Sequence, residues 1–490
     1  MNPKLADILR DIEVLQIQGT ASLKLSGITF DSRKVEPGVL FVAVRGTQSD
    51  GHDFIAGAVA AGASAVVCEN MPALMLSGTT FIRVKDTANA LANLASAFYN
   101  HPSQKLKLIG ITGTNGKTTT VTLLHRLFAD LGYKSGCFTT IRNYIGNETV
   151  EATHTTPDPV QLNRIMKDMV NAGCQYVFME VSSHALAQQR VAGLAFAGGI
   201  FSNITHDHLD FHITFEEYIK AKKLFFDNMP AGSFSLINAD DRNGKVMVQN
   251  TKSAVSYYGI RSMADFKARV IESHFNGMLL NIDNSELWTK FIGEFNAYNL
   301  LAVYSCARLL GQNKDELLRL ISAMDTVEGR FQYLQSQKGI TAVIDYAHTP
   351  DAIVNVLKTI SQIRKGSEQV ITVIGAGGNR DKTKRPAMAK AAAEMSDKVI
   401  LTADNPRNEE PIAIINDMKA GLDNKLLEKT IIQPDRYEAI KTACMLATRG
   451  DIILIAGKGH ETYQEIKGTK HHFSDVEIVA AIFELKPDQP

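Results

Sequence analysis

Residues 108–120, Leu-Ile-Gly-Ile-Thr-Gly-Thr-Asn-Gly-Lys-Thr-Thr-Thr, constrain the fold more than any other part of the chain. The apolar run at 108–111 reads as a buried strand and the glycines after it as a tight turn. Lys117-Thr118-Thr119 then opens an amphipathic helix carrying Val121, Leu123, Leu124, Leu127 and Phe128. Strand, glycine loop and helix in that order suit a polyphosphate. Backbone N–H groups crowd the phosphate oxygens, and the helix N-terminus adds its positive dipole end. Lys117 is placed to neutralise β/γ phosphates, and the Thr118 hydroxyl to ligate Mg²⁺. The spacing departs from G-x-x-x-x-G-K-S/T, which wants Gly where this chain has Ile111; the glycines fall at Gly110, Gly113 and Gly116. A ligand-free strand-to-helix turn is the alternative, and the Lys-Thr pair at the helix start weighs against it.

The 490 residues suffice for about three domains. Lys plus Arg number 52 and Asp plus Glu 52, a balance that gives no electrostatic reason to expect nucleic acid or a membrane surface as partner. Lys4, Asp7, Arg10 and Asp11 stand where a signal peptide would be apolar, and the Ala/Gly-rich run Phe54–Cys68 is too short to span a bilayer. The five cysteines are scattered without a C-x-x-C, which argues against disulfides and zinc and for a reducing cytoplasm.

Three textures divide the chain at 1–102, 103–335 and 336–490. The first holds short strands and turns around Gly27–Arg33 and Pro37–Val44, then a helix at Phe54–Ala63. The second follows the glycine loop with apolar strands at Tyr176–Val181, Gly199–Ile204 and Phe234–Asn238. The third alternates strands at Thr341–Asp345, Val370–Ala376, Val399–Ala403, Thr430–Gln433 and Asp451–Ala456 with helices at Ala352–Ile360, Ala387–Met395, Ile412–Ala420 and Tyr437–Ala447. The fold class is therefore α/β: a small N-terminal α/β domain, a central P-loop domain with a mainly parallel sheet, and a C-terminal Rossmann-like doubly wound domain.

Several constellations carry chemistry. Glu180, in Met179-Glu180-Val181-Ser182-Ser183-His184, ends an apolar strand and so faces the phosphates, where it suits Mg²⁺; a surface strand end is the alternative. Residues 203–212, Asn-Ile-Thr-His-Asp-His-Leu-Asp-Phe-His, pack three histidines and two aspartates after another strand. They lack the regular Cys/His spacing of structural zinc and the helical H-E-x-x-H frame, and spacing alone leaves a metal ligand and a hydrogen-bonding loop histidine equally open. Lys220, Lys222 and Lys223 share a helix, and spacing does not choose among them or against a solvated basic face. Asn296 and Asn299 precede a long apolar helix, suited to an adenine edge or to a plain helix cap. Gly375-Ala376-Gly377-Gly378-Asn379-Arg380 fails the dinucleotide fingerprint because Arg380 stands where Gly is required. Asp404-Asn405-Pro406-Arg407 and Gly457-Lys458-Gly459-His460-Glu461 follow neighbouring strands. Two arginines and an acid on one sheet edge suggest a zwitterionic or dicarboxylic ligand.

Together, GTNGKTT, EVSSH, DHLDFH, DYAHTPD, GNRDKTKRP, DNPR and GKGHE, in order along the whole chain, resemble the Mur ligases, ATP-dependent amide-bond synthetases of peptidoglycan precursor assembly. The closest resemblance is to the branch that adds the third amino acid; folylpolyglutamate synthases would share the P-loop but not DNPR. The resemblance implies that Phe30, Ser32, Thr47, Gln48 and Ser49 hold the UDP moiety, and His154, Thr155, Thr156, Ser182, Gln188 and Arg190 the sugar-peptide. The family commonly carries Asn at the position of His154. ATP would meet Gly113, Thr114, Asn115, Gly116, Lys117, Thr118, Thr119, Asn296, Asn299, Arg330 and Asp345. Mg²⁺ would be held by Thr118, Glu180 and His208, with Lys222 as a carbamate, so that Lys117, Lys222, Glu180 and His208 form the catalytic set. Arg380, Asp404, Asn405, Pro406, Arg407, Gly457 and Glu461 would hold meso-diaminopimelate, whose second carboxylate Arg407 matches and lysine lacks.

The implied reaction joins that amino acid to the D-Glu of UDP-MurNAc-L-Ala-D-Glu through an acyl phosphate, serving cell-wall biogenesis and through it cell shape and division. The expected protein is a cytoplasmic monomer with no nucleic-acid or membrane partner. Two rival classes are a P-loop switch ATPase, which needs no amino-acid pocket, and a dinucleotide-dependent oxidoreductase, which Arg380 disfavours.

Overall fold

The computed structural model describes residues 2–46, 49–73, 78–364, 366 and 368–485. Its first 100 residues form a five-stranded sheet ordered Gln16–Gln18, Thr80–Arg83, Ala65–Cys68, Val39–Val42, Gly27–Thr29, parallel except at the first edge. The helix Thr87–Phe98 packs on it, started by Asp86, whose carboxylate accepts the N–H groups of Ala88 and Asn89. The sequence places a helix at 54–63; the chain gives a 3₁₀ turn at Gly51–Phe54 and an α-helix only over Ile55–Ala60.

The central sheet has eleven strands. Lys107–Thr112 lies in its middle, parallel to Tyr176–Glu180 on one side and Phe196–Phe201 on the other. The registers Glu180↔Ile111 and Phe201↔Thr112 bring three strand ends to one edge: the glycine loop, Glu180 and the Ser202-Asn203 turn. The helix Lys117–Asp130 buries Val121, Leu123, Leu124, Leu127 and Phe128 against this sheet and against the helix Glu294–Leu309. Two antiparallel extensions have no counterpart in the sequence reading: Arg142–Ile145 with Glu148–Glu151, and Phe266–His274, Gly277–Ile282 and Ser285–Thr289. Glu148–Glu151 and Phe266–His274 are largely exposed or half-exposed and lack the apolar runs that mark buried strands, whereas Gly277–Ile282 is mostly buried and carries Met278-Leu279-Leu280. The hairpin turns carry local signals, Asn276-Gly277 and Asp283-Asn284, the latter with φ of 47° and 64°.

The third sheet runs Gln332–Gln335, Thr341–Asp345, Ile452–Ala456, Val370–Ala376, Lys398–Ala403, Thr430–Ile432. All but the first strand are parallel, and the five parallel strands fall within a residue or so of their predicted bounds. Gln332–Gln335 lies on the central side of residue 335 in the sequence partition, yet it forms the antiparallel edge of this sheet. The registers Asp345↔Ala456 and Ala376↔Ala403 gather Asp345, Gly457, Gly377 and Asp404 at one carboxyl-end edge, where strand order switches.

Arg436 and Asp475, both wholly buried, form a two-pronged ion pair at 2.9 and 2.7 Å that joins the helices Arg436–Leu446 and Asp475–Ile482. Asp475→Ala strands the guanidinium in the core and is expected to cost about 3–5 kcal/mol. A urea titration followed by tryptophan-independent far-UV signal measures it.

Candidate active site

The glycine loop is held open by its neighbours. Thr114 donates its N–H to Asn203 O at 2.8 Å, Asn115 donates its own to Asn203 Oδ1 at 2.9 Å, and Ser202 Oγ donates to Asn115 O at 2.7 Å. Gly113 (φ 153°) and Gly116 (φ 88°) must be glycine. A Cβ at 113 would collide with Ser202 Oγ, and one at 116 would sit 2.5 Å from Asn299 Oδ1. Two lysines point into the loop. Lys117 Nζ donates to Gly113 O and Thr114 O at 2.8 Å each, and Lys222 Nζ donates to Gly113 O at 2.8 Å. Burial lowers the pKa of both amines, and for Lys222 the Lys117 charge lowers it further, to well below the usual ammonium range. The helix Phe215–Asp227 thus singles out Lys222, 1% exposed; Lys220 pairs with Glu216 and Glu217 at the surface, and Lys223 with Asp227.

Glu180, 1% exposed, accepts the Thr140 N–H at 2.8 Å and the Thr140 hydroxyl at 3.3 Å. Thr118 Oγ1 accepts from the Arg330 guanidinium at 3.1 Å. His208, at φ 55°, has its ring edge-on to His184, and burial lowers its pKa so that the imidazole is neutral. Among the described residues no three His, Cys, Asp or Glu side chains cluster as a ready metal cage. Arg330 stacks over the Tyr346 ring at 4.6 Å. Asp345 accepts the Phe331 N–H at 2.7 Å, and burial raises its pKa. Of the two asparagines, Asn299 faces the glycine loop, whereas Asn296 donates to Ile292 O within its own helix start.

A cavity of about 1170 Å³ joins these groups to the third sheet. Thr114–Thr119, Glu180, His208, Lys222, Asn299, Arg330 and Asp345 line one part of it. His154, Thr155, Thr156, Ser182 and Arg190 line another. Here Thr156 Oγ1 donates to Glu180 O at 2.8 Å, and Arg190 donates to Thr156 O at 2.8 Å and to the Gln188 side-chain Oε1 at 2.6 and 2.9 Å. Gln188 therefore stands behind Arg190 rather than on the wall. Phe30, Ser32 and Ser49 lie in the N-terminal domain away from this cavity, and Thr47 and Gln48 lie outside the described residues.

Arg380, Asp404, Asn405, Arg407, Gly457 and Glu461 line the third part. Pro406 does not; its carbonyl abuts Gly378. Arg407 sits at φ 51°, donates to Gly378 O at 2.8 Å and pairs with Glu465 at 3.3 Å. Burial, and then the neighbouring Asp404, push the Glu461 carboxyl up. The sequence reading missed Lys384, Asp207 and Lys458. Lys384 meets Asp207 at 3.3 Å with both side chains nearly buried, bridging the second and third domains; Asn115 to Asp351 at 3.1 Å is a second bridge. The only sequence signal was their place inside motifs, Asp207 next to His208 and Lys384 beside Arg385.

A phosphate-cradling loop and a charged amino-acid-sized pocket opening on one cavity define an ATP-dependent ligase site. Family profiles described as Mur ligase family, catalytic domain, Mur ligase middle domain, and Mur ligase, glutamate ligase domain match residues 24–99, 111–307 and 329–459. The chain is 57% identical over 482 residues to the UDP-N-acetylmuramoyl-L-alanyl-D-glutamate–2,6-diaminopimelate ligase of Bacteroides fragilis, covering 98% of this chain and 99% of that one. The ligase of the same name from Clostridioides difficile is 43% identical, with 97% and 98% covered. A solved structure of such a ligase superposes with a TM-score of 0.70 at 32% identity, covering 99% of both chains. A MurF structure from Acinetobacter baumannii shares the fold, with a TM-score of 0.65 at 17% identity and 99% of both chains covered. The chain belongs to the Mur ligase family.

Gly113→Ala forces a β-carbon into Ser202 and strains the loop by about 1–3 kcal/mol. Roughly tenfold weaker ADP binding is expected, with the thermal midpoint of the unliganded protein shifted little; calorimetric titration and a melt read the two.

Proposed function

We propose that this chain is the ATP-dependent ligase that joins meso-diaminopimelate to UDP-MurNAc-L-Ala-D-Glu in peptidoglycan precursor synthesis. The observation that carries it is Arg407, fixed beside Asp404 and Glu461 on the wall of the cavity that also holds the glycine loop. Diaminopimelate ends in a carboxylate that the remaining N–H groups of a guanidinium already anchored by Glu465 and Gly378 O can meet; lysine has no such carboxylate to offer.

In the first step a D-glutamate carboxylate oxygen attacks the γ-phosphorus of ATP. The bond to the β–γ bridging oxygen breaks, ADP leaves, and an acyl phosphate forms. The amine nitrogen of the amino acid then adds to the acyl carbon, gives up a proton, and expels inorganic phosphate. Lys117 and the loop N–H groups neutralise the phosphates, Arg330 approaches from the third domain's edge, and Arg190 with Thr155 and Thr156 orients the peptide end. Thr118, Glu180 and His208 fit Mg²⁺: a hydroxyl, a buried carboxylate with free lone pairs and a neutral imidazole face one cavity. When bound, the ion supplies charge neutralisation at the phosphate oxygens. Lys222 completes that set as a carbamate. Burial favours its neutral, nucleophilic amine, so the nitrogen bonds to CO₂ and releases one proton, turning a neutral amine into an anion.

The N-terminal domain, through Phe30, Ser32 and the 47–49 segment, takes the UDP moiety in this reading, and the units 1–102, central and C-terminal divide the substrates. Asn296 supports Asn299, whose amide it accepts at 3.2 Å, at the adenine side. One chain supplies the phosphate, peptide and amino-acid parts of the cavity, which supports a monomer. Five free buried cysteines, and no helix among the described residues long and apolar enough to cross a membrane, support a cytoplasmic place.

Two experiments test the reading. Arg407→Ala is expected to lower kcat/KM for diaminopimelate about a hundredfold or more, roughly 3 kcal/mol, with the KM for ATP nearly unchanged; equal losses would remove Arg407 from specificity. In CO₂-free buffer the enzyme should lose most activity and regain it on adding bicarbonate, and Lys222→Ala should abolish that rescue.

A further inference from the structure

Lys458 takes no part in the steps above, and it does not line the cavity. Its side chain is wholly buried behind the amino-acid end. Nζ donates to Tyr463 O at 2.6 Å, Glu461 Oε2 at 2.8 Å and Asn405 Oδ1 at 3.2 Å, and it lies 3.5 Å from Asp404 Oδ1. Three protons thus meet three acceptors, and a fourth group is held by charge alone. All four partners belong to residues that do line the cavity.

These contacts tie three separate segments together. Asp404 and Asn405 come from the turn after the strand Lys398–Ala403, and Glu461 from the turn after Ile452–Ala456. Tyr463 begins the hairpin Tyr463–Ile466 and Thr469–His472. That hairpin in turn fixes Arg407. The Arg407 N–H donates to Glu465 O at 2.9 Å, its carbonyl accepts from the Lys467 N–H at 2.8 Å, and Glu465 N–H donates to Asn405 Oδ1 at 2.9 Å. Arg407 is held at positive φ, a conformation that persists only where surroundings enforce it.

Charge gives a second reason for a cation here. Two carboxylates, Asp404 and Glu461, share one buried wall, and burial and then the Asp404 charge push the Glu461 carboxyl up. One ammonium among them leaves a single net negative charge, the complement of one ligand ammonium.

We propose that Lys458 is a positioning residue for the incoming amino acid: its buried ammonium locks the Asp404–Arg407 turn, Glu461 and the 463–472 hairpin into the arrangement that receives a zwitterionic ligand. The proposal rests on the ligase reading and deepens it. A preset wall of this kind lowers the ordering cost of binding and leaves the nucleotide end untouched.

Phosphate release by the parent enzyme, Lys458→Met and Lys458→Arg, with ATP, UDP-MurNAc-L-Ala-D-Glu and meso-diaminopimelate each varied in turn, tests it. Lys458→Met is expected to raise the KM for diaminopimelate by about tenfold or more, while the KM values for ATP and the UDP-peptide move less than about twofold. Lys458→Arg, which keeps the charge, is expected to recover part of the loss. An unchanged KM for diaminopimelate overturns the proposal. So does an equal rise in all three KM values, or loss of the fold in both variants, since either assigns Lys458 to stability alone. The parent enzyme separates the two readings. Its failure to turn over overturns the ligase and this proposal together, whereas turnover with an unchanged KM in Lys458→Met overturns the proposal alone.

Discussion

Two lysines, one half-buried and one fully buried, converge on one carbonyl. Lys117 and Lys222 both donate to Gly113 O at 2.8 Å, and the rest of the site depends on that concentration of positive charge. Desolvation drives each amine toward neutrality unless an anion faces it. In the proposed reading a triphosphate supplies that anion to Lys117, and carboxylation gives Lys222 a negative charge of its own. The loop that holds the shared carbonyl has no freedom to relax. Gly113 has no room for a side chain, and the Ser202-Asn203 turn bonds the loop from the neighbouring strand.

The third domain reaches this loop through few, polar contacts. Asn115 bonds Asp351, Arg330 bonds Thr118, and Lys384 pairs with Asp207 one residue from His208. Burial opposes charge on Asp207, yet the Lys384 ammonium holds its carboxyl well below the usual range. Beside these polar contacts, Ile292, Phe275 and Phe295 of the central domain pack against the third domain's apolar core. The amino-acid end is built differently. A buried network of Lys458, Asp404, Asn405 and Glu461 makes it a preformed wall.

Much of this was legible in the sequence where a signal is local and periodic. The parallel strands of the third sheet are continuous apolar runs because both faces are covered, and their bounds follow within a residue or so. The P-loop helix begins at Lys117 as its motif requires. Signals that depend on which way a helix turns were not legible. Lys220, Lys222 and Lys223 are equivalent until the helix Phe215–Asp227 packs, and only then does one enter the loop. Asn296 and Asn299 differ in the same way. Lys458 stands between two glycines, where a lysine reads as solvated; its burial depends on the 463–472 hairpin, whose exposed strands carry no apolar run.

The central claim is that phosphoryl transfer at the loop is coupled to an amino acid chosen by its second carboxylate. The most direct test is phosphate release from ATP with UDP-MurNAc-L-Ala-D-Glu, comparing meso-diaminopimelate with L-lysine at equal concentration. Release that requires the UDP-peptide and diaminopimelate, and is at least about a hundredfold less efficient with lysine, is the expected result. Equal release with lysine, or release that needs neither partner, would contradict it.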